Sequence, residues 1–235
     1  MTSALPVNNL VRQLQIAGER PTTELVDQII AAGAEARQPV LELATRIELL
    51  YKDEPECWAP LHALRLLAEL PPDLSIAGPL LERVPVELRD DEDELSQMWG
   101  GEVISVTARC GEEGIPFFWA WAEDTEQHPI SRGAALTALV HVANATPTRQ
   151  AELIGEFRRR FAETDDPVTA AFLAYALASL RVREMYDEIM AAYRAKRIET
   201  EIFAAADARQ MLLSSQPAPY LKTFSFWERY DVFGP

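Results

Sequence analysis

The chain is poor in the residues that carry most recognisable chemistry. It has three histidines, two cysteines and ten glycines among 235 residues. His62, His128 and His141 are scattered, with no partner at ligand or triad spacing, which argues against a metal site or a histidine-activated nucleophile. Cys57 and Cys110 show no CxxC or His-x-Cys spacing, so they are expected as buried, reduced thiols. No GxGxxG, P-loop, HExxH or GxSxG is present, and no catalytic, metal-binding or cofactor-binding residue is assigned. Ser131 reads as a helix N-cap rather than a nucleophile.

Long apolar runs are also missing. No stretch of about 18 apolar residues occurs, and MTSALPVNNLVRQLQ lacks the basic start and apolar core of a secretory signal, so a soluble, cytoplasmic chain without a membrane partner is expected. Basic residues are in deficit: 22 against 37 acidic, a net charge of −15. Such a charge repels phosphate backbones and disfavours nucleic acid, whereas it suits a basic protein partner.

What remains is a composition rich in Ala, Leu and Glu, 48% apolar and 25% charged, which favours helix. The organising stretch is CWAPLHALRLLAELPPDLSIAGPLLERV, residues 57–84. Leu61, Leu64, Leu67 and Ala68 form one helix face that Pro71-Pro72 must end. Asp73 then caps a second helix with Leu74, Ala77, Leu80, Leu81 and Val84. Neither helix can bury its stripe alone, so the pair needs neighbours.

The same helix end recurs at Ala108, Ala143, Ala178 and Leu213, after one step of 40 and three of 35 residues. Leu64, Ile104, Leu139 and Ala174 stand four positions before Ala68, Ala108, Ala143 and Ala178. Upstream, a weak stripe of Leu10, Val11 and Leu14 precedes a cap within Pro21-Thr22-Thr23-Glu24, Gly33 breaks the helix that follows, and Pro39 is expected to open the next. Gly100-Gly101 should weaken the helix leading into VISVTARCGEEG. The final SSQPAPYLKTFSFWERYDVFGP, rich in aromatics such as Tyr220 and Trp227, reads as a cap over an open end.

Helix pairs of 35 to 40 residues punctuated by proline or aspartate, with small apolar residues on the first helix, resemble HEAT repeats over about residues 22–214. More narrowly, CWAPLHALRLLAEL and VREMYDEIMAAYRAKRIETEIF resemble an uncharacterised bacterial HEAT-like family, domain of unknown function number 1186. The resemblance implies an all-α, right-handed α-solenoid of about five to six antiparallel helix pairs. It implies one domain spanning 1–235, with an N-terminal capping region at 1–56, repeats at 57–214 and a C-terminal cap at 215–235. It supplies no catalytic residues.

Stacked helix pairs build an extended binding face, so the expected function is a non-enzymatic scaffold or adaptor that binds a partner protein. The alternative is a HEAT-like enzyme related to alkylpurine DNA glycosylases or bilin lyases. The expected partner site combines Trp119, Trp121, Glu123 and Asp124 with the acidic run Asp90, Asp91, Glu92, Asp93 and Glu94. On a helix Phe117 and Trp121 share a face while Phe118 and Trp119 point elsewhere, which leaves at least one large aromatic exposed or buried in an unusual contact. The Arg158-Arg159-Arg160 run cannot form one patch and reads as a solvated helix end.

Overall fold

The computed structural model of the chain describes residues 6–84, 94–215 and 223–234, and among them no strand occurs. Asp90, Asp91, Glu92, Asp93 and Tyr220 lie outside the described residues. Where one domain was expected, the chain divides into two compact units: residues 1–110 together with 223–235, and residues 111–222.

The first unit begins with α1 (Val7–Gln15), α2 (Thr23–Ala32), α3 (Ala34–Ala44) and α4 (Ala59–Leu67). The Thr22 hydroxyl accepts from the Leu25 N–H and caps α2 as expected. Gly33 separates α2 from α3 at φ 57°, a left-handed conformation that glycine adopts without Cβ strain. The new helix therefore starts at Ala34, and Pro39 sits inside it rather than opening it.

Helix α4 is the centre of this unit. All nine of its residues are buried, His62 and Arg65 included, so the expected amphipathic helix has no solvated face. It packs against α1, α2 and α3, and against α6 (Glu94–Thr107). The Pro71-Pro72 end leaves carbonyls without helical partners, and Arg109 Nη1 donates to those of Leu67 and Leu70 at 3.2 and 3.0 Å. Asp73 caps the next segment through the Ser75 N–H at 2.9 Å. That segment is shorter than expected, a single 3-10 turn at Leu74–Ile76 followed by α5 (Ala77–Leu81).

Helix α6 runs straight through Gly100-Gly101, because Trp99 anchors it. The indole is fully buried and donates to the Ala44 carbonyl at the end of α3 at 2.9 Å. That tertiary contact outweighs a glycine cost of about 1 kcal/mol per residue. Thr107, which interrupts the apolar pattern, is buried with its hydroxyl bonded to the Val103 carbonyl at 3.0 Å. Cys57 is buried as expected, whereas Cys110 is only half-buried, and neither forms a disulfide.

The second unit holds α7 (Ile115–Glu123), α8 (Pro129–Ala145), α9 (Pro147–Glu163), α10 (Pro167–Ser179), α11 (Tyr186–Arg194) and α12 (Ala205–Leu213). Helices α8 and α10 are buried on nearly every side, and α8 packs on α7, α9 and α10. Helix α9 instead buries only Leu153, Phe157 and Phe161, an i, i+4, i+8 stripe with charge opposite. Helix α10 packs in turn on α12. Gly133 on α8 allows a close approach: a Cβ there would lie 2.3 Å from the Phe172 ring of α10. The α8 N-cap is His128, whose Nδ1 accepts from the Ile130 N–H, not Ser131, which lies three residues inside the helix.

The chain then returns to the first unit as α13 (Phe226–Phe233), which packs on α4. This part of the aromatic tail therefore covers the first unit's central helix.

The sequence repeat falls in register with these elements: Ala68, Ala108, Ala143, Ala178 and Leu213 mark the ends of α4, α6, α8, α10 and α12. Leu64, Leu139 and Ala174 are 0% exposed, but Ile104 is half-buried and Leu213 is 53% exposed, its role taken by the fully buried Leu212. Leu139→Ala should therefore lower stability by about 2–5 kcal/mol through lost transfer energy and the cavity left behind. Urea unfolding of the pure protein measures it, and a loss below about 0.5 kcal/mol would contradict this packing.

Candidate functional site

Helix α7 has no single apolar stripe, and its aromatics part in three directions. Phe118 is fully buried in the second unit's core. Phe117 and Trp121 lie together at 5.5 Å between ring centroids, as their four-residue spacing requires, and the Trp121 indole donates to Ser131 Oγ at 2.9 Å. Trp119 points elsewhere. It is half-buried, rests on Phe157 of α9 at 5.2 Å, and carries the Arg160 guanidinium over its ring at 3.8 Å.

Arg160 is held in place by two helices. Its Nε and Nη2 donate to Glu123 Oε1 at 2.9 and 2.7 Å, and its Nη1 pairs with Glu156 one turn earlier. Hydrogen bonds from Arg159 and Arg160 hold the Glu156 carboxyl below its ordinary range. The three arginines of the run do not form one patch: Arg158 pairs with Glu184, whereas Arg159 and Arg160 share Glu156, Arg159 reaching Glu163 as well and Arg160 reaching Glu123. The reading of a solvated helix end fails for Arg160, whose side chain is 19% exposed and belongs to the site.

Trp119 and Glu123 form one wall of an open cleft of about 260 Å³ in the second unit. Arg132, Leu136, Arg160, Glu163, Thr164, Asp166, Thr169 and Leu173 line the rest. Arg132 closes its floor, donating from Nε to the Ala122 carbonyl at the end of α7 at 2.8 Å and from Nη2 to Thr169 Oγ1 at 3.2 Å. Asp166 caps α10 through the Val168 and Thr169 N–H groups. Partial burial pushes its carboxyl up, but the Thr169 hydroxyl and those two amides outweigh this and bring it below the ordinary range. The rim thus carries three carboxylates against two guanidinium groups.

Of the residues expected at a partner site, the structure brings Trp119 and Glu123 together. Trp121 is turned toward Ser131, and Asp124 is exposed in a turn, its carboxyl lowered by Gln127 and the Glu126 N–H. Glu94 is exposed at the start of α6 in the first unit. Arg132, Arg160 and Thr169 were not foreseen. The available signal was distance in sequence: Arg160 lies 37 residues after Glu123, and Thr169 lies 37 after Arg132, close to one repeat.

A second polar cluster lies in the first unit and was wholly unforeseen. Arg65, 0% exposed, donates from Nε to Glu102 Oε1 at 2.9 Å, and Arg229 Nη1 reaches Glu102 Oε2 at 3.0 Å. Arg65 also lies over the Tyr230 ring at 4.3 Å. His62 Nε2 donates to the Gly18 carbonyl at 2.7 Å, and its Nδ1 accepts from the Tyr230 hydroxyl. Both ring nitrogens of His62 are engaged. Burial lowers the His62 pKa to about 4, and burial likewise lowers that of His141 to about 4, so both imidazoles are neutral near pH 7. Among the described residues no group of histidine, cysteine, aspartate or glutamate could hold a metal ion, and no helix is long and apolar enough to cross a membrane.

Glu102→Gln should be among the most damaging single changes, since it strands two buried guanidinium groups; about 3–5 kcal/mol is expected in denaturant unfolding at pH 7. Arg160→Ala at the exposed rim should cost about 1 kcal/mol or less from lost ion pairing. Equal losses for the two would contradict the contrast in burial.

No family model, curated protein or solved structure matches the chain.

Proposed function

We propose that the chain is a protein-binding module of HEAT-like helix pairs, a right-handed α-solenoid related to domain of unknown function number 1186. In this reading the second unit's cleft takes a basic side chain from a partner protein. The repeat register supports the architecture, as does the side-by-side packing of α8, α10 and α12. The observation that carries the function is Trp119: a large aromatic held half-exposed, fixed by Phe157 and Arg160, and facing a cleft rimmed by Glu123, Glu163 and Asp166. Partially exposed tryptophans in rigid surroundings are the residue type that dominates interface energetics. At about 260 Å³ the cleft falls below the roughly 300–1,000 Å³ of small-molecule pockets, which favours one or two inserted side chains over a whole ligand. The acid excess of the rim, and of the chain at −15, selects for lysine or arginine.

The test is affinity capture from the native host, followed by surface-based binding kinetics with the recovered partner. Raising salt from about 0.05 to about 0.5 M should slow association several-fold, because the Debye length falls below about 5 Å. Neutralising Asp90 to Glu94 should weaken that salt response. Trp119→Ala should speed dissociation at least tenfold. Salt-independent association together with an unchanged Trp119→Ala off-rate would overturn the reading.

A further inference from the structure

Helix α13 is fastened to the first unit by buried polar contacts as much as by apolar ones. Its buried residues are Phe226, Arg229 and Tyr230. Arg229 binds Glu102 on α6, Tyr230 binds His62 on α4, and the Gly234 carbonyl just past the helix accepts from Arg65 Nη1 at 3.0 Å. His62, Arg65, Glu102, Arg229 and Tyr230 are all at least nine-tenths buried. The cluster holds two guanidinium groups and one carboxylate, so it already carries one positive charge in excess, and Arg229 Nε has no hydrogen-bond partner. A helix of eight residues has little intrinsic stability of its own, so these contacts decide whether it stays docked.

His62 is the titratable member of the cluster. A carbonyl can only accept, so the contact with Gly18 places the ring hydrogen on Nε2 and leaves the Nδ1 lone pair for the Tyr230 hydroxyl. The next proton must go to Nδ1, the atom that holds α13. It would arrive among Arg65 on α4, Arg229 and Tyr230 on α13, Glu102 on α6, and Arg20 in the α1–α2 connection, whose guanidinium lies 5.3 Å from the Tyr230 ring and pairs with Asp231. Cys57, on the turn before α4, stays a neutral thiol because burial raises its pKa. Helices α1, α2 and α3 bury apolar residues: Leu10 and Leu14, Leu25, Val26 and Ile29, and Val40, Leu41 and Leu43. Glu102 is thus the one buried carboxylate facing these cations, since Asp231 is engaged by Arg20 at the surface, and a second excess charge has no buried counter-ion.

We propose that α13 is a clasp that a proton on His62 releases, detaching Arg229, Tyr230 and the following turn from α4 and α6 while the rest of the first unit stays folded. The direction follows from linkage. Burial, reinforced by Arg65, holds the imidazole near pKa 4 with the clasp closed, against 6.5 for an imidazole in water. The open form binds the proton more tightly, so closure is complete above pH 6.5 and weakens as pH falls toward 4. Between pH 7 and pH 5 the closing equilibrium should drop roughly twentyfold.

Hydrogen exchange by mass spectrometry, corrected for intrinsic exchange rates, tests this on the full chain. Amides of α13 should lose roughly twentyfold protection between pH 7 and pH 5, while those of α3 in the same unit change less than threefold. The reference is α3 because α8 carries His141, a partly buried histidine whose pKa is also lowered. In His62→Gln the α13 response should flatten to within about twofold. If α13 and α3 lose protection together, if α13 does not respond, or if His62→Gln retains the wild-type response, the clasp is overturned. Should His62→Gln fail to fold, the wild-type comparison of α13 with α3 decides alone.

Discussion

Much of the first unit follows from one constraint: α4 has no exposed residue, yet it carries an arginine and a histidine. A guanidinium with no solvent access must find both charge and hydrogen bonds inside the protein, because an unpaired buried ion costs several kcal/mol. Glu102 from α6 supplies the charge. It cannot satisfy every donor of Arg65, and the remaining ones need an acceptor on the side that α6 does not cover. The Gly234 carbonyl meets that need, and the Tyr230 ring covers the guanidinium face. The same helix brings the hydroxyl that engages His62. The return of the chain at residue 223 is thus tied to two polar residues near its position 60.

Arginine has a second recurring use. Helix ends leave carbonyls without partners, and here arginines from neighbouring elements reach them. Arg109 serves the end of α4, Arg132 that of α7, Arg197 the Phe161 and Thr164 carbonyls at the end of α9, and Arg183 the Ser214 carbonyl after α12. These cations sit next to the negative ends of helix dipoles, Arg109 and Arg132 partly buried and Arg183 and Arg197 at the surface.

The sequence made the helical elements and the repeat register legible because both depend on local, repeated features. Small or apolar residues at Leu64, Leu139, Ala174 and the helix ends recur at fixed steps, and caps such as Thr22, Asp73 and Asp166 act on their own neighbours. The polar sites were illegible for the converse reason. Arg65 with Glu102, Glu123 with Arg160, and Arg132 with Thr169 are each 37 residues apart, and within any local window each looks like a residue on a solvated face. The period itself held the missing information, since residues one repeat apart become neighbours when helix pairs pack. The tail offered a plainer signal that went unread: Ser225-x-x-Glu228 is a capping box, and both of its hydrogen bonds form at the start of α13. The α8 cap was misplaced because histidine is a rare capping residue and Ser131 a common one.

Under the proposed binding role, the same packing that hid the cleft sets how it would discriminate. Glu123 is already engaged by Arg160, and Glu163 by Arg159, so an incoming cation must share these carboxylates rather than meet them free. Solvent screening at their largely exposed carboxylates makes the pairs weak, so exchange of one cation for another is close to neutral. Net affinity must then come from what the free protein leaves unsatisfied, chiefly the solvated part of Trp119. Because Phe157 and Arg160 hold that ring in place before binding, little side-chain entropy remains to be lost at the anchor. Charge in this cleft would therefore govern approach and exclude acidic ligands, while the fit against a pre-set tryptophan would govern how long a basic one stays.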